Sequence, residues 1–215
     1  MNLRETINQL IESTKILGED YPQSFNMEHF KNLTSFKDKI AYCEQHLQRL
    51  GSGSSRIVYL IDNERVLKLA KNAKGLAQNA VEIRNADDNM LTGLVPEVYE
   101  VDENDQWFET QLAEKMSKGK FQQLIGVSWD MYAKLLHNYA TESTSFRATK
   151  YKVPQDIDDE SWNNEFIRSM YDYVGNFQNF NHDLLRMSSY GAVKDNVVLI
   201  DSGLTNEVFK QHYSR

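Results

Sequence analysis

Four charged residues and one glycine-bearing loop in this 215-residue chain have the types and settings that phosphate chemistry uses. The segment Leu50-Gly51-Ser52-Gly53-Ser54-Ser55-Arg56-Ile57-Val58 joins two runs of strand character. Two glycines among small polar residues let a backbone come close to a polyphosphate, with N–H groups facing its oxygens. A plain hairpin loop would read the same way. Lys68 stands among aliphatics in Val66-Leu67-Lys68-Leu69-Ala70. A lysine on a half-buried strand either snorkels to the edge or meets an anion. Glu82 follows 14 residues later in LAQNAVEIRNADD, a run of helical character. There it either pairs with the Lys68 ammonium or faces solvent. Asp201 ends the aliphatic run 197–200 and opens the small turn Ser202-Gly203, a common place for a metal-binding carboxylate. Asp183 lies 18 residues earlier, in Asn181-His182-Asp183-Leu184-Leu185-Arg186.

Apolar periodicity predicts the elements that must position these groups. Ile7, Leu10, Ile11 and Leu17 share one helical face, and Phe36, Ile40 and Cys43 mark a second helix over 35–44. HLQRL, SRIVYLID and RVLKLA read as three antiparallel strands, split by residues 51–55 and by Asp62-Asn63-Glu64. Residues 74–89 read as helix and stop before the Gly93/Pro96 break. VPEVYEVDE and QWFETQLA give two more strands around an Asn104-Asp105 turn. The second half reads as helical. Residues 121–125 form a short helix, then Trp129, Tyr132, Leu135, Leu136 and Tyr139 form a stripe, then Phe166, Met170, Tyr173, Val174 and Phe177. Aromatic stripes at this spacing are core-facing. GAVKDNVVLIDSG reads as a tight hairpin and TNEVFKQHY as a closing helix. The polar stretch 141–160, with Pro154, is the expected mobile loop. The order predicts an α+β fold with a sheet-rich first half and a helical second half.

Composition narrows the function classes. The net charge is −7, with both signs spread along the chain, which argues against nucleic-acid binding. No apolar run approaches the roughly 20 residues that span a bilayer, and the N-terminus carries no signal-peptide pattern. Cys43 is the only cysteine, so neither an internal disulfide nor a cysteine zinc site is expected. A cytoplasmic setting follows as the expectation. His29, His46, His137 and His212 show no metal-ligand spacing, and a structural hydrogen bond is the expected role of His182.

The ordered set Gly51-x-Gly53, Lys68, Glu82, Asp183 and Asp201-Ser202-Gly203 resembles the protein-kinase-like superfamily over residues 46–204. The GLAQNAVE and DLLRMSSYG stretches are similar to small, divergent kinase-like proteins of phages and mobile elements. The resemblance implies a minimal bilobal protein-kinase-like fold, with a five-stranded antiparallel N-lobe sheet and a truncated helical C-lobe. Its expected divisions are an N-terminal helical extension over 1–45, an N-lobe over 46–116 and a reduced C-lobe over 117–215. It implies ATP and Mg²⁺ as cofactors. Gly51, Ser52, Gly53, Ser54 and Ser55 would cover the phosphates, with Val58 on the strand behind them. Lys68, held by Glu82, would contact the inner phosphates. Backbone at Gln111, Leu112, Ala113 and Glu114 would hold the adenine. Asp201 would bind Mg²⁺, and Asp183 would orient or deprotonate the attacking hydroxyl.

The chain departs from the family pattern at several points. Ser188, followed by Ser189, stands where the catalytic loop carries a metal-binding asparagine; a hydroxyl there would reach Mg²⁺ through water. Arg56 replaces the third loop glycine, and Ser202 replaces the phenylalanine after the metal aspartate. Leu185 stands at the usual basic position, with Arg186 beside it to neutralise phosphate charge. Only 12 residues follow Gly203, so regulation by an activation segment is not expected. The expected activity is phosphoryl transfer to a protein or small-molecule hydroxyl, its own Ser52, Ser54 and Ser55 included. The alternative is a pseudokinase that binds nucleotide and regulates a partner protein. A third reading is nucleotidyl transfer.

Overall fold

Strand alternation and turn chemistry build the first sheet. The computed structural model describes residues 21–143, 148–155, 157, 162–176 and 181–214. The helix expected from Ile7, Leu10, Ile11 and Leu17 lies outside these residues, as does Phe177. Strands β1 (Gln48–Ser52), β2 (Arg56–Leu60), β3 (Arg65–Ala70), β4 (Val98–Val101) and β5 (Trp107–Gln111) form an antiparallel sheet in the order β1-β2-β3-β5-β4. The β4–β5 turn carries Asp105 at φ 56°, a left-handed conformation that aspartate tolerates better than most residues.

The two faces of this sheet bury different chemistry. Ile57, Tyr59, Leu67, Leu69 and Trp107 pack with Phe25, Phe30, Cys43 and Leu47 in one hydrophobic cluster. The helices that supply the cover are α1 (Met27–Asn32) and α2 (Phe36–His46), capped by the side chains of Asn26 and Ser35. On the other face lies α3 (Ala73–Asp87), whose first turn is capped by Asn72. Its buried residues are Gly75, Gln78, Asn79, Val81, Glu82 and Asn85, a set dominated by polar side chains. Most buried polar groups have partners, and each of these side chains makes at least one hydrogen bond, although Asn79 Oδ1 has none among the described residues. Gln78 accepts from Ser55, Asn79 donates to the Asp105 carbonyl, and Asn85 donates to the Ser202 hydroxyl.

The second half is helical. It contains α4 (Lys118–Ile125), α5 (Trp129–Ser143), α6 (Glu165–Asn176) and α7 (Asn206–His212). Phe121, Trp129, Tyr132, Met170, Tyr173 and Tyr190 share its apolar core, separate from the cluster behind the first sheet. The result is an α+β fold with a five-stranded antiparallel sheet and a helical second half.

Two local expectations change. The hairpin after Asp183 is β7 (Tyr190–Val193) and β8 (Asn196–Leu199), but a third strand, β6 (Glu114–Lys115), pairs with β7. QWFETQLA therefore stops being sheet-one strand at Gln111, because the chain crosses to the second sheet. Within the stretch expected as a mobile loop, residues 141–143 instead complete α5, and Tyr151 is pinned by reciprocal hydrogen bonds to the Asn138 side chain (2.7 and 2.8 Å). Among the described residues, no helix is long and apolar enough to cross a membrane.

Candidate active site

Register puts Arg56, Val58, Lys68 and Ala70 on the face of the sheet that meets α3, since Val58 pairs with Lys68 and Arg56 with Ala70. The Lys68 ammonium donates to Glu82 Oε2 at 2.5 Å and to the backbone carbonyl of Ile200 at 2.7 Å. Glu82 Oε1 accepts from the Gly203 backbone N–H at 3.1 Å and lies 2.7 Å from Arg56 Nη1. Arg56 Nη2 donates to Asp201 Oδ1 at 2.6 Å. Lys68, Glu82, Arg56 and Asp201 thus form one continuous charged chain linking β2, β3, α3 and the turn after β8. Arg56 entered the sequence reading only as a missing glycine. The available signal was its position two residues before Val58, on the same strand face.

Burial and charge oppose each other in this chain. Burial by itself would raise the Glu82 carboxyl, but the Arg56 guanidinium and the Lys68 ammonium outweigh it and hold Glu82 below its ordinary range. Burial likewise works against the charge on Arg56, and Glu82 and Asp201 reverse that effect. Both groups are therefore charged at neutral pH.

The loop over this cluster is tied down from below. The Gly53 N–H donates to the Arg56 carbonyl at 2.9 Å, and Lys71 Nζ donates to the Gly53 carbonyl at 2.9 Å. Asn72 Nδ2 donates to the Ser54 carbonyl at 3.1 Å. Ser52 and Ser54 are exposed, whereas Ser55 is buried and donates its hydroxyl to Gln78 Oε1 at 2.6 Å. A Cβ added at Gly51 or Gly53 would meet nothing within 4 Å. Packing among the described residues therefore does not account for these two glycines.

Asp183 sits in the 3-10 turn His182–Leu185, where its N–H is capped by Asn181 Oδ1 at 2.8 Å. The Asn181 amide also donates to the Leu204 carbonyl, tying this turn to the chain after Asp201. The Asp183 carboxylate pairs with Arg186 Nη1 at 2.9 Å, and the Arg186 side chain is 68% exposed. Ser188 is exposed in the turn Met187–Ser189, while Ser189 is buried and donates to the Asp183 carbonyl at 2.7 Å. Between the two sheets, the Gln111 and Leu112 N–H groups are taken by the carbonyls of Glu97 (2.9 Å) and Glu64 (2.6 Å). Glu114 pairs with Ala192 in the second sheet. A Cβ on Gly191 would lie 2.6 Å from that of Ala113, so the crossing fits only against glycine.

A magnesium ion commonly takes one or two carboxylates and fills the rest of its shell with phosphate oxygens and water. Among the described residues, no three His, Cys, Asp or Glu side chains gather as a metal-ligand group. Asp201 is the carboxylate in position, with its side chain 46% exposed, but Arg56 holds its Oδ1. A dication on that oxygen does not fit while the guanidinium is in hydrogen-bond contact, because like charges at that range repel strongly.

No family model matches the chain, and no curated protein matches it. Solved structures do. One is the streptomycin–ATP ternary complex of APH(2″)-IIa, at 16% identity over 80% of this chain and 71% of that one, with a TM-score of 0.37. Another is the ADP-bound aminoglycoside phosphotransferase APH(2″)-Ib, at 16% identity over 78% and 69%, with a TM-score of 0.37. A third is a choline/ethanolamine kinase family protein from Mesorhizobium loti, at 19% identity over 73% and 57%, with a TM-score of 0.36.

Proposed function

We propose that this chain binds ATP in the cleft between the first sheet and the 183 and 201 segments, and transfers its terminal phosphoryl group to a hydroxyl. The observation that carries the reading is the buried Lys68 ammonium. It touches the α3 carboxylate of Glu82 and, 132 residues along the chain, the carbonyl next to Asp201. A cation held in this way is available to phosphate oxygens without reorganising. Gly51, Ser52, Gly53 and Ser54 would cover the phosphates, and Val58 would lie against the base. With the Gln111 and Leu112 N–H groups engaged elsewhere, adenine contacts from these two residues would come from their carbonyls, beside the backbone of Ala113 and Glu114. Asp183 takes the proton of the acceptor hydroxyl. The new oxygen–phosphorus bond forms as the bond from the γ-phosphorus to its bridging oxygen breaks, and ADP leaves. Arg186 is exposed enough to turn onto the transferring group. Mg²⁺ is the expected companion of ATP, supplying charge neutralisation, and Asp201 is the carboxylate it would use once Arg56 has let go. Acceptors are small-molecule or protein hydroxyls. Ser55, buried with its hydroxyl engaged, is a poorer candidate for self-modification than Ser52 or Ser54.

A second reading, a binding module without turnover, is favoured by the Arg56 contact on Asp201. Two measurements separate the readings. A thermal shift with ATP and Mg²⁺ is expected for wild type and not for Lys68→Ala; no shift in wild type rejects both. Transfer of label from γ-labelled ATP, lost in Asp183→Ala, is expected of the enzyme. Binding without transfer leaves the module.

A further inference from the structure

The charged cluster holds one cation more than nucleotide binding and transfer require. Arg56 opens β2, and its side chain is only 11% exposed between two carboxylates. A guanidinium buried to this extent persists where anions offset its lost hydration. Its fork divides between them, with Nη1 on Glu82 and Nη2 on Asp201. The other oxygen of Glu82 holds Lys68. Two cations and two carboxylates balance, so Asp201 already has a counter-ion. The same fork geometry matches phosphate oxygens as well as carboxylates. Arg56 also stands at the base of the 51–55 loop, where its own carbonyl receives the Gly53 N–H. A ligand under that loop would lie within about a side chain's length of the guanidinium.

We propose that Arg56 is the resident counter-ion of Asp201, barring a divalent cation from that carboxylate until a polyphosphate draws the guanidinium away. The second half of this inference rests on the nucleotide reading above. It makes binding ordered: a divalent cation alone binds poorly, and cation and nucleotide enter together.

Mn²⁺ alone, titrated into the full chain and followed by the electron paramagnetic resonance of the free ion, tests the first half. Arg56→Gln is expected to bind Mn²⁺ at least about tenfold more tightly than wild type, the scale of one charge-assisted hydrogen bond. The gain is expected to vanish in the Arg56→Gln/Asp201→Asn double variant. Circular dichroism checks that Arg56→Gln is folded. If it is not, Arg56→Lys replaces it, because an ammonium can serve Glu82 but cannot fork to both carboxylates. Equal Mn²⁺ affinity in wild type and the folded Arg56 variant overturns the proposal, as does a gain that survives loss of Asp201. The second half is tested by calorimetry with ATP in excess chelator, where Arg56→Gln is expected to weaken binding about tenfold. Unchanged affinity overturns the handover. Failure of the nucleotide reading looks different. Wild type then binds no ATP, the handover falls with it, and the Mn²⁺ gain in Arg56→Gln still upholds Arg56 as counter-ion.

Discussion

Glu82 carries more of the site than any other side chain. It joins Lys68, Arg56 and the Gly203 N–H at once, from a buried position on α3. Removing one member of a buried ion group costs what the remaining charges lose in compensation. Glu82→Gln leaves two cations with only Asp201 nearby, and about 3–5 kcal/mol of destabilisation is expected in urea unfolding. Lys68→Met leaves Glu82 still paired with Arg56, so its cost should be the smaller of the two; the reverse ranking would contradict the charge chain. The pH dependence follows from the same residue. The fold holds the Glu82 carboxyl below its unfolded value, so its contribution is complete above the unfolded pKa of about 4.3. That contribution fades as pH falls through the lower folded value. The melting temperature of wild type should therefore approach that of Glu82→Gln in acid and separate from it toward neutral pH.

At the scale of elements, two kinds of glycine part company. Gly203 lies against α3, where an added Cβ would come 2.7 Å from the Gln78 backbone oxygen and 2.9 Å from the Gln78 Cβ. Backbone cannot yield as a flexible side chain can. Gly203→Ala should destabilise by about 1–3 kcal/mol and speed hydrogen exchange in α3, because it pushes the 201–203 turn off Glu82. Gly53→Ala meets no neighbour within 4 Å. It should leave the stability nearly unchanged, within about 0.5 kcal/mol in urea unfolding, while weakening ATP binding. Loss of binding without loss of stability would separate a phosphate-covering loop from a plain hairpin.

Across the whole molecule, two apolar clusters flank a polar junction. Arg56 to Asp201, Lys68 to the Ile200 carbonyl, Asn85 to Ser202 and Gln78 to the Tyr213 hydroxyl all cross between the first sheet with α3 and the later chain. The far face of the sheet is held by α1, where the fully buried Phe30 packs edge-on to Trp107 at 5.6 Å between ring centroids. Phe30→Ala should cost about 3–5 kcal/mol and red-shift tryptophan emission. Mn²⁺ binding by the protein that remains folded should be unaltered, since the charged cluster lies on the opposite face of the sheet.

Sequence by itself determined the elements and named the candidate groups. Periods of two and of about 3.6 residues are written in short windows, so β1 to β5, α2, α3 and the aromatic stripe of α5 could be read locally. Lys68 was legible as a cation among aliphatics and Asp201 as an acid ending an aliphatic run. Tertiary structure alone decided the partnerships. Arg56 meets Asp201 from 145 residues away, and nothing in a window around either residue encodes that meeting. The two-residue strand β6 was hidden because it is too short for a period and exists only through its pairing with β7. The polar inner face of α3, with Gln78, Asn79 and Glu82, reads in sequence as either turned to the sheet or solvated; the fold decides for the sheet, because polarity fixes what a side chain can bond to, while burial depends on which partners the fold brings within reach.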